Sequence, residues 1–232
     1  QRTTNEWPGV GMSVPAWLSD YSNDLVVKSN ANLVRWMHVT PWKQDVESCD
    51  RVGLIQAMPA GDQERDSKGR QWEQRTELMR DAIIYNRNNP SILFYECGNK
   101  GIKREHMLEM KAIRDKYDPY GGRAIGSREM LDIREAEYGG EMLYVNKSRH
   151  HPMWSMEYCR DEGLRKYWDD YSYPYHKEGD GPLHRGGSAK SYNHNQDMFA
   201  VELVRRWYDY WRERSGTGLR INAGGTKIIF SD

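Results

Sequence analysis

The chain is predicted to fold as an α/β protein, because short apolar runs alternate along it with longer amphipathic stretches. The apolar runs contain few polar residues, as is typical of parallel strands covered on both faces. The length of 232 residues approaches the ~250 of a complete (β/α)8 barrel. We therefore expect a (β/α)8 TIM barrel without its first strand and final helix, forming a single domain over residues 1–232.

Seven short segments carry the strand pattern. They are Leu33–Val39, Gly53–Met58, Ser91–Cys97, Arg123–Ser127, Met142–Val145, Met153–Met156 and Lys227–Ser231. Most are rich in apolar residues, which favours buried strands of a parallel sheet. Gly224 and Gly225 are interpreted as the approach to the last strand, because their pattern does not match a phosphate-binding loop.

Three segments between the strands have apolar residues at helical spacing: Gln71–Asn88, Glu105–Tyr117 and Gln196–Arg214. The first is expected to end before Pro90, and the last is closed by Gly216. Such stripes usually pack against a sheet, so we assign all three helices to the core. The stripe residues are Leu78, Ala82, Ile83 and Tyr85, then Met107, Met110 and Ile113, then Phe199, Leu203, Val204, Trp207 and Trp211.

Residues 160–195 break the alternation, since this stretch is polar, aromatic and rich in glycine. A segment of that length without periodicity is typical of a functional loop or of disorder. Its density of Tyr, Trp and His argues against disorder. We predict a long loop insertion on the catalytic face of the barrel.

Composition excludes several classes of function. The chain has 34 basic and 34 acidic residues, so no basic surplus favours nucleic acid or an anionic membrane as a partner. No apolar run approaches the ~20 residues that cross a bilayer. The three cysteines are far apart, and no spacing matches a metal or phosphate-binding motif, so we expect no metal and no cofactor.

The aromatic residues favour a carbohydrate ligand. The chain has nine Trp and fifteen Tyr but three Phe. Trp and Tyr combine a flat apolar face with a polar group. Such rings stack on the C–H faces of sugars, although they also serve as ordinary core residues, and composition does not decide between these roles.

Barrel enzymes place their chemistry at the carboxyl ends of the strands. In this sequence those positions hold polar residues from one strand to the next. They are Arg35 and His38, then Asp62 and Glu64, then Glu96, Asn99 and Lys100, then Arg128 and Glu129, then Asn146 and Lys147, and finally Glu157.

Several of these segments form an ordered set of motifs. Arg35, His38 and Pro41 follow one strand, and the acidic, glycine-containing segment 49–54 enters the next. Segment 87–92, with Asn-Asn-Pro-Ser-Ile, leads to Gly98-Asn99, while Asp118-Pro119 and Arg123 precede another strand, and Met156-Glu157-Tyr158 ends a later one. In this order, over roughly residues 30 to 160, they resemble the catalytic domain of family 2 glycoside hydrolases.

The resemblance implies a retaining β-glycosidase of the β-galactosidase type, which acts on the β-glycosides of oligo- or polysaccharides. It implies that Glu157 is the nucleophile and that Asn99 hydrogen-bonds the sugar 2-OH. Arg35 and His38 would line the sugar site. Other expected substrate contacts are Glu96, Trp42, Trp154 and Tyr158. Additional β-sandwich domains in the full-length protein and a periplasmic or secreted location are expected on the same ground.

Lys100 departs from the family pattern, which has the acid/base glutamate after Gly-Asn. A lysine is a poor general acid near neutral pH, because the ordinary pKa of a lysine side chain is ~10.4. Glu129 on the next strand is our preferred replacement, with Glu64 as the neighbour on the other side. Glu96 shares the side-chain direction of Lys100 but is expected to lie too deep, roughly 13 Å lower.

Three interpretations follow from this departure. The first is a working glycosidase, either with a relocated acid or with activated leaving groups that need little protonation. It is favoured because Glu157, Asn99 and His38 are all present. The second is a catalytically impaired barrel that binds glycans through aromatic residues, Trp36 among them. The third is another sugar chemistry, such as elimination, in which Lys100 is a base or neutralises a uronate carboxylate.

Overall fold

A computed structural model describes residues 14–36, 39–60, 65–128, 133–141, 153–158 and 222–227, together with positions 197, 201, 204 and 208. Its helices are α1 (Ala16–Lys28), α2 (Lys43–Val52), α3 (Arg70–Asn86) and α4 (Arg104–Tyr117). Its strands are β1 (Leu33–Arg35), β2 (Ile55–Pro59), β3 (Ile92–Glu96), β4 (Ala124–Arg128), β5 (Tyr138–Glu141), β6 (Met153–Tyr158) and β7 (Asn222–Lys227).

The strands form one parallel sheet whose spatial order follows the chain from β1 to β7. Parallel neighbours require a crossover between them, which the helices provide in the first half of the chain. The two edge strands, β1 and β7, approach each other, with Cα atoms within 8 Å. The sheet is therefore curled as in a (β/α) barrel, and the predicted fold class is confirmed.

Two strands differ from the predicted segments. β5 is Tyr138–Glu141, and the segment Met142–Val145 that was predicted as a strand lies outside the described residues. β7 is Asn222–Lys227, which shares Lys227 with the predicted Lys227–Ser231, and the rest of that segment also lies outside the described residues. Both contain paired glycines, which have little intrinsic preference for strands. Gly224 and Gly225 therefore lie within the last described strand. The other strands overlap the predicted segments.

Helices α1 and α2 were not predicted, because they join through polar side chains. Ser19 Oγ donates to Asp45 Oδ1 at 2.5 Å, and Asn23 Nδ2 donates to Ser48 Oγ at 3.0 Å, all four residues being buried. These polar contacts supply part of the interface beside the buried Val26 and Cys49, so hydrophobic periodicity gives only a weak signal for it. In α3 the predicted Leu78 and Tyr85 are exposed, as is Val204 further along the chain.

Side chains alternate between the helix side and the interior of the sheet. Val34 and Trp36 belong to a core cluster with Val26 and Cys49, so both face the helices. Trp36 is fully buried, and its Nε1 donates to Gln56 Oε1 at 2.8 Å. The proposed role of Trp36 in glycan binding was therefore wrong, since its ring is part of the protein core.

The opposite alternation directs other side chains to the interior. Because Val34 faces the helices, its neighbour Arg35 faces inward. Tyr95 lies in the larger core cluster that contains Met79, Ile83 and Met107, so Glu96 likewise faces the interior. No helix among the described residues is long and apolar enough to cross a membrane.

The amino ends of the strands are tied together by residues of the recurring motifs. Asp50 accepts hydrogen bonds from Asn89 Nδ2 and from the backbone N and Oγ of Ser91, which fixes the start of β3. Arg123 donates to Asp118 Oδ2 at 2.7 Å and to two backbone carbonyls of the segment before and within β3. These motifs therefore have a structural role at the amino-terminal end.

Candidate active site

The carboxyl ends of β1 and β3 are joined by a buried ion pair. Arg35 Nε donates to Glu96 Oε2 at 2.6 Å, and Arg35 Nη2 pairs with Glu96 Oε1. Both residues are about 1% exposed. A two-pronged arginine–carboxylate pair has a fixed geometry. Glu96 therefore serves to hold the Arg35 guanidinium in place across the interior.

Asn99 lies just beyond the end of β3 and receives two guanidinium groups. Arg35 Nη2 donates to its Oδ1 at 3.1 Å, and Arg128 Nε donates to the same oxygen at 2.8 Å. Arg128 Nε also lies 3.0 Å from the backbone carbonyl of Asn99. With both arginines on Oδ1, the amide group of Asn99 is oriented so that Nδ2 points away from them.

The loop that carries Asn99 is fastened to β4. Cys97 N donates to Gly126 O at 2.8 Å, and Ser127 Oγ donates to the carbonyl of Gly98 and, at 3.4 Å, to that of Lys100. Asn99 is therefore held by both its backbone and its side chain.

Burial governs the titrating groups beneath this network. Burial, together with the nearby negative charge of Glu96, raises the pKa of the Tyr138 phenol well above its usual value. The neutral phenol donates to the Tyr95 carbonyl at 3.0 Å. Burial likewise raises the pKa of the Cys97 thiol, so this buried cysteine stays protonated and is a poor nucleophile.

Two of the predicted aromatic contacts differ in their surroundings. Trp154 is half-buried, and its ring meets Phe94 edge-on at 5.0 Å between centroids, which gives it a packing role inside the sheet. Trp42 directly precedes α2 and is 48% exposed. Contacts of either ring with a sugar stay predictions.

Other predicted site residues fall outside the described part of the chain. These are His38, Glu129, Asp62, Glu64, Asn146, Lys147 and the insertion at 160–195, and for Glu157 and Tyr158 only the backbone of β6 is described. Their roles stay predictions. The described residues that do come together are Arg35, Glu96 and Asn99, with Lys100 half-buried beside Asn99.

Arg128 is the described site residue whose role the sequence did not reveal. The sequence predicts that Arg128 lies at the end of a strand. Many other polar residues share that kind of position, so position alone does not single out Arg128. Arg128 shares the side-chain direction of Gly126, which lies opposite Glu96 because β4 pairs directly with β3. This register would have pointed to Arg128, but local sequence does not encode it.

A curated β-glucuronidase of Formosa agariphila is 30% identical to the chain over 238 residues, which cover 100% of the chain and 23% of that protein. A solved β-glucuronidase of glycoside hydrolase family 2 superposes on all of the chain with a TM-score of 0.75 and 28% identity. The chain belongs to glycoside hydrolase family 2. It matches the catalytic barrel of that family, although no family model matches the sequence.

More distant structures share the fold. A β-glucuronidase of Parabacteroides merdae matches 99% of the chain with a TM-score of 0.68 and 15% identity, and a β-galacturonidase of Eisenbergiella tayi matches 73% with a TM-score of 0.60 and 17% identity. The chain spans about a quarter of the length of its two nearer relatives described above, at 23% and 24%.

Proposed function

We propose that this barrel is the catalytic centre of a retaining β-glycosidase and that its substrate is the β-glycoside of a uronic acid. The observation that carries the proposal is the Arg35–Glu96–Asn99–Arg128 network at the carboxyl ends of the strands. It presents a rigid amide beside the positions at which barrel enzymes act. The two nearer family 2 relatives carry the name β-glucuronidase.

The names of the two nearer relatives support an anionic sugar, since both are called β-glucuronidase. Lys100 lies half-buried beside Asn99, and a lysine ammonium is a chemically suitable group for the carboxylate of a uronide. A uronide therefore suits the site better than the neutral galactoside implied by the sequence resemblance.

In the proposed reaction, Glu157 attacks the anomeric carbon and forms a glycosyl-enzyme ester, while a carboxylic acid protonates the departing oxygen. Asn99 donates from Nδ2 to the sugar 2-OH, a contact that strengthens at the transition state. Glu96 is occupied by Arg35 and is not suited to be the acid. Glu129, directly after Arg128, remains our candidate for it. Secretion or export to the periplasm is part of the proposal.

A catalytically impaired, glycan-binding barrel is the alternative that Lys100 raises. The relatives do not support it, since both nearer ones carry the names of hydrolases. Trp36, one of the aromatic residues on which it depended, is buried in the core.

The test uses the full-length protein and aryl β-glucuronide, β-galacturonide, β-galactoside and β-glucoside substrates. We expect uronides to be turned over fastest, and Glu157→Gln to lower kcat by at least ~10³-fold because the nucleophile is lost. Glu137→Gln is the matched control, since Glu137 pairs with Arg114 at the amino-terminal end and its loss leaves kcat unchanged.

Other outcomes would contradict specific parts of the proposal. Faster turnover of the galactoside would refute the uronide assignment while leaving a glycosidase. Activity confined to Lys100→Glu would mean that the natural chain is a glycan binder. If Glu157→Gln still turns over substrate, Glu157 is not the nucleophile.

A further inference from the structure

We propose that Arg128 is a positioning residue, which orients Asn99 toward the 2-hydroxyl of the substrate. The inference rests on the proposed glycosidase function and adds a residue for which the sequence indicated no role. It starts from the two hydrogen bonds that Arg128 Nε makes with Asn99, to Oδ1 at 2.8 Å and to the backbone carbonyl at 3.0 Å.

The orientation of the Asn99 amide is fixed by its two cationic partners. Oδ1 and Nδ2 of an asparagine have similar shapes, so partners decide which of them faces a ligand. Here Oδ1 accepts from Arg35 and Arg128, both about 1% exposed. Turning the amide over would place its N–H groups against two guanidinium groups, which have no acceptor. The amide is therefore locked with Nδ2 on the other side.

The same two partners strengthen Nδ2 as a donor. An amide oxygen that accepts from two cations is polarised, and the N–H groups of the same amide then become stronger donors. A donor that is fixed and polarised before substrate arrives costs no reorganisation during the reaction. Arg128 thus acts on the substrate through Asn99 and need not touch the sugar.

Arg128 and Arg35 hold the amide in different ways. Arg35 is itself held by Glu96, so its direction is set by a carboxylate across the interior. Arg128 grips both the side chain and the backbone of Asn99, which fixes the amide relative to its own main chain. When Arg128 is lost, the hydrogen bond from Arg35 to Asn99 Oδ1, at 3.1 Å, remains. This single bond does not fix the side-chain torsions of Asn99.

The experiment compares the aryl β-glycoside that the full-length protein turns over fastest with its 2-deoxy counterpart. Arg128→Met should lower kcat/KM for the hydroxylated substrate by about 10- to 100-fold, the cost of a misplaced group. For the 2-deoxy substrate the loss should stay below about 3-fold, because Asn99 has no partner there. Asn99→Ala should show the same pattern, and the double variant should lose no more than Asn99→Ala.

Arg123→Met is the matched control. Arg123 directly precedes the strand that Arg128 ends, and it bonds Asp118 and backbone carbonyls at the amino-terminal end. Loss of Arg123 should lower the Tm and should change kcat/KM by the same factor for the hydroxylated and the 2-deoxy substrate. Arg128→Lys keeps a positive charge without the Nε–H group, so it should recover little of the lost activity. This variant also carries the test if Arg128→Met fails to fold.

Equal losses on both substrates would overturn the inference, as would additive effects in the double variant or full recovery in Arg128→Lys. If wild-type protein turns over no glycoside, the proposed function fails, but the inference is still tested by calorimetric binding. In that case Arg128→Met should abolish the preference for each sugar over its 2-deoxy form. An unchanged preference would refute the role of Arg128.

Discussion

The two ends of β4 carry buried or half-buried arginines that do different work. Arg123, just before the strand, bonds Asp118, whose other partner is the Tyr95 hydroxyl at 2.7 Å. Arg128, at its last residue, donates to the side-chain oxygen of Asn99. At the amino-terminal end Arg123 is paired with a carboxylate, whereas at the carboxyl end Arg128 and Arg35 both donate to one amide oxygen. The first arrangement serves stability, and in our proposal the second positions a group that binds the substrate.

The largest effect on stability is expected at Arg35, because this residue both pairs with the buried Glu96 and donates to Asn99. Arg35→Met leaves Glu96 buried without its cation, which should lower the free energy of unfolding by about 3–5 kcal/mol. Arg35→Met with Glu96→Gln should regain much of that stability, because no buried charge then stands alone, yet activity should stay lost. Urea unfolding and kcat/KM give the two quantities. A single variant as stable as wild type would contradict the importance of the pair.

A smaller, purely structural effect is expected at Asp50. Asp50→Ala removes the acceptor for Asn89 and for the backbone and hydroxyl of Ser91, which should cost about 1–3 kcal/mol. The kcat of the folded protein should not change, since these bonds lie at the opposite end from Asn99. Glu47→Ala, an exposed position on the same helix, is the control for stability. A selective fall in kcat would show that the two ends are coupled.

Gly53 should show a smaller effect still. It ends α2 with φ 76° and ψ 32°, and no atom lies within 4 Å of the place that a Cβ would occupy, so the cost of Gly53→Ala comes from the backbone alone. About 1 kcal/mol of stability should be lost in thermal or urea unfolding. Gly53→Asn should lose less, because asparagine tolerates this left-handed conformation. Equal losses would point to another cause.

The smallest effect on stability is expected for the loss of the Glu137 carboxylate, and its size depends on pH. Burial alone would raise the pKa of Glu137, but hydrogen bonds and charge from Arg114 and Lys111 outweigh it and lower this pKa to about 2, from 4.5. A lowered pKa stabilises the fold above pH 4.5, and this stabilisation is lost as the pH falls toward 2. The side chain is 30% exposed, so solvent screening limits it to about 1 kcal/mol or less.

Glu137→Gln should therefore unfold with a shallower pH dependence between 4.5 and 2, and the two proteins should converge in stability at the acid end. Tm measured across this interval tests the expectation. Parallel curves for the two proteins would assign the acid sensitivity to other carboxylates.

Sequence reasoning succeeded where local pattern and tertiary role coincide. Apolar runs predicted β3 and β4, and Arg35 and Asn99 were predicted to lie at the carboxyl ends of strands, where the structure has them. It did less well with α1, whose buried residues are Ser19, Ser22, Asn23 and Val26, because polar contacts with α2 supply much of the packing of that helix. The contact of Arg128 with Asn99 depends on strand register, which local sequence does not encode.

Gly224 in the last described strand has a tertiary cause, which involves Trp154. In the sheet this residue lies between Gly140 of β5 and Gly224 of β7, and a Cβ at position 224 would come within 2.6 Å of its ring. Glycine therefore suits position 224 because of the neighbouring indole, although glycine has little intrinsic preference for strands. This imposes an order on evolutionary change: a side chain can be gained at 224 only after the ring at 154 has become smaller, so the two positions should vary as a pair among descendants of this protein.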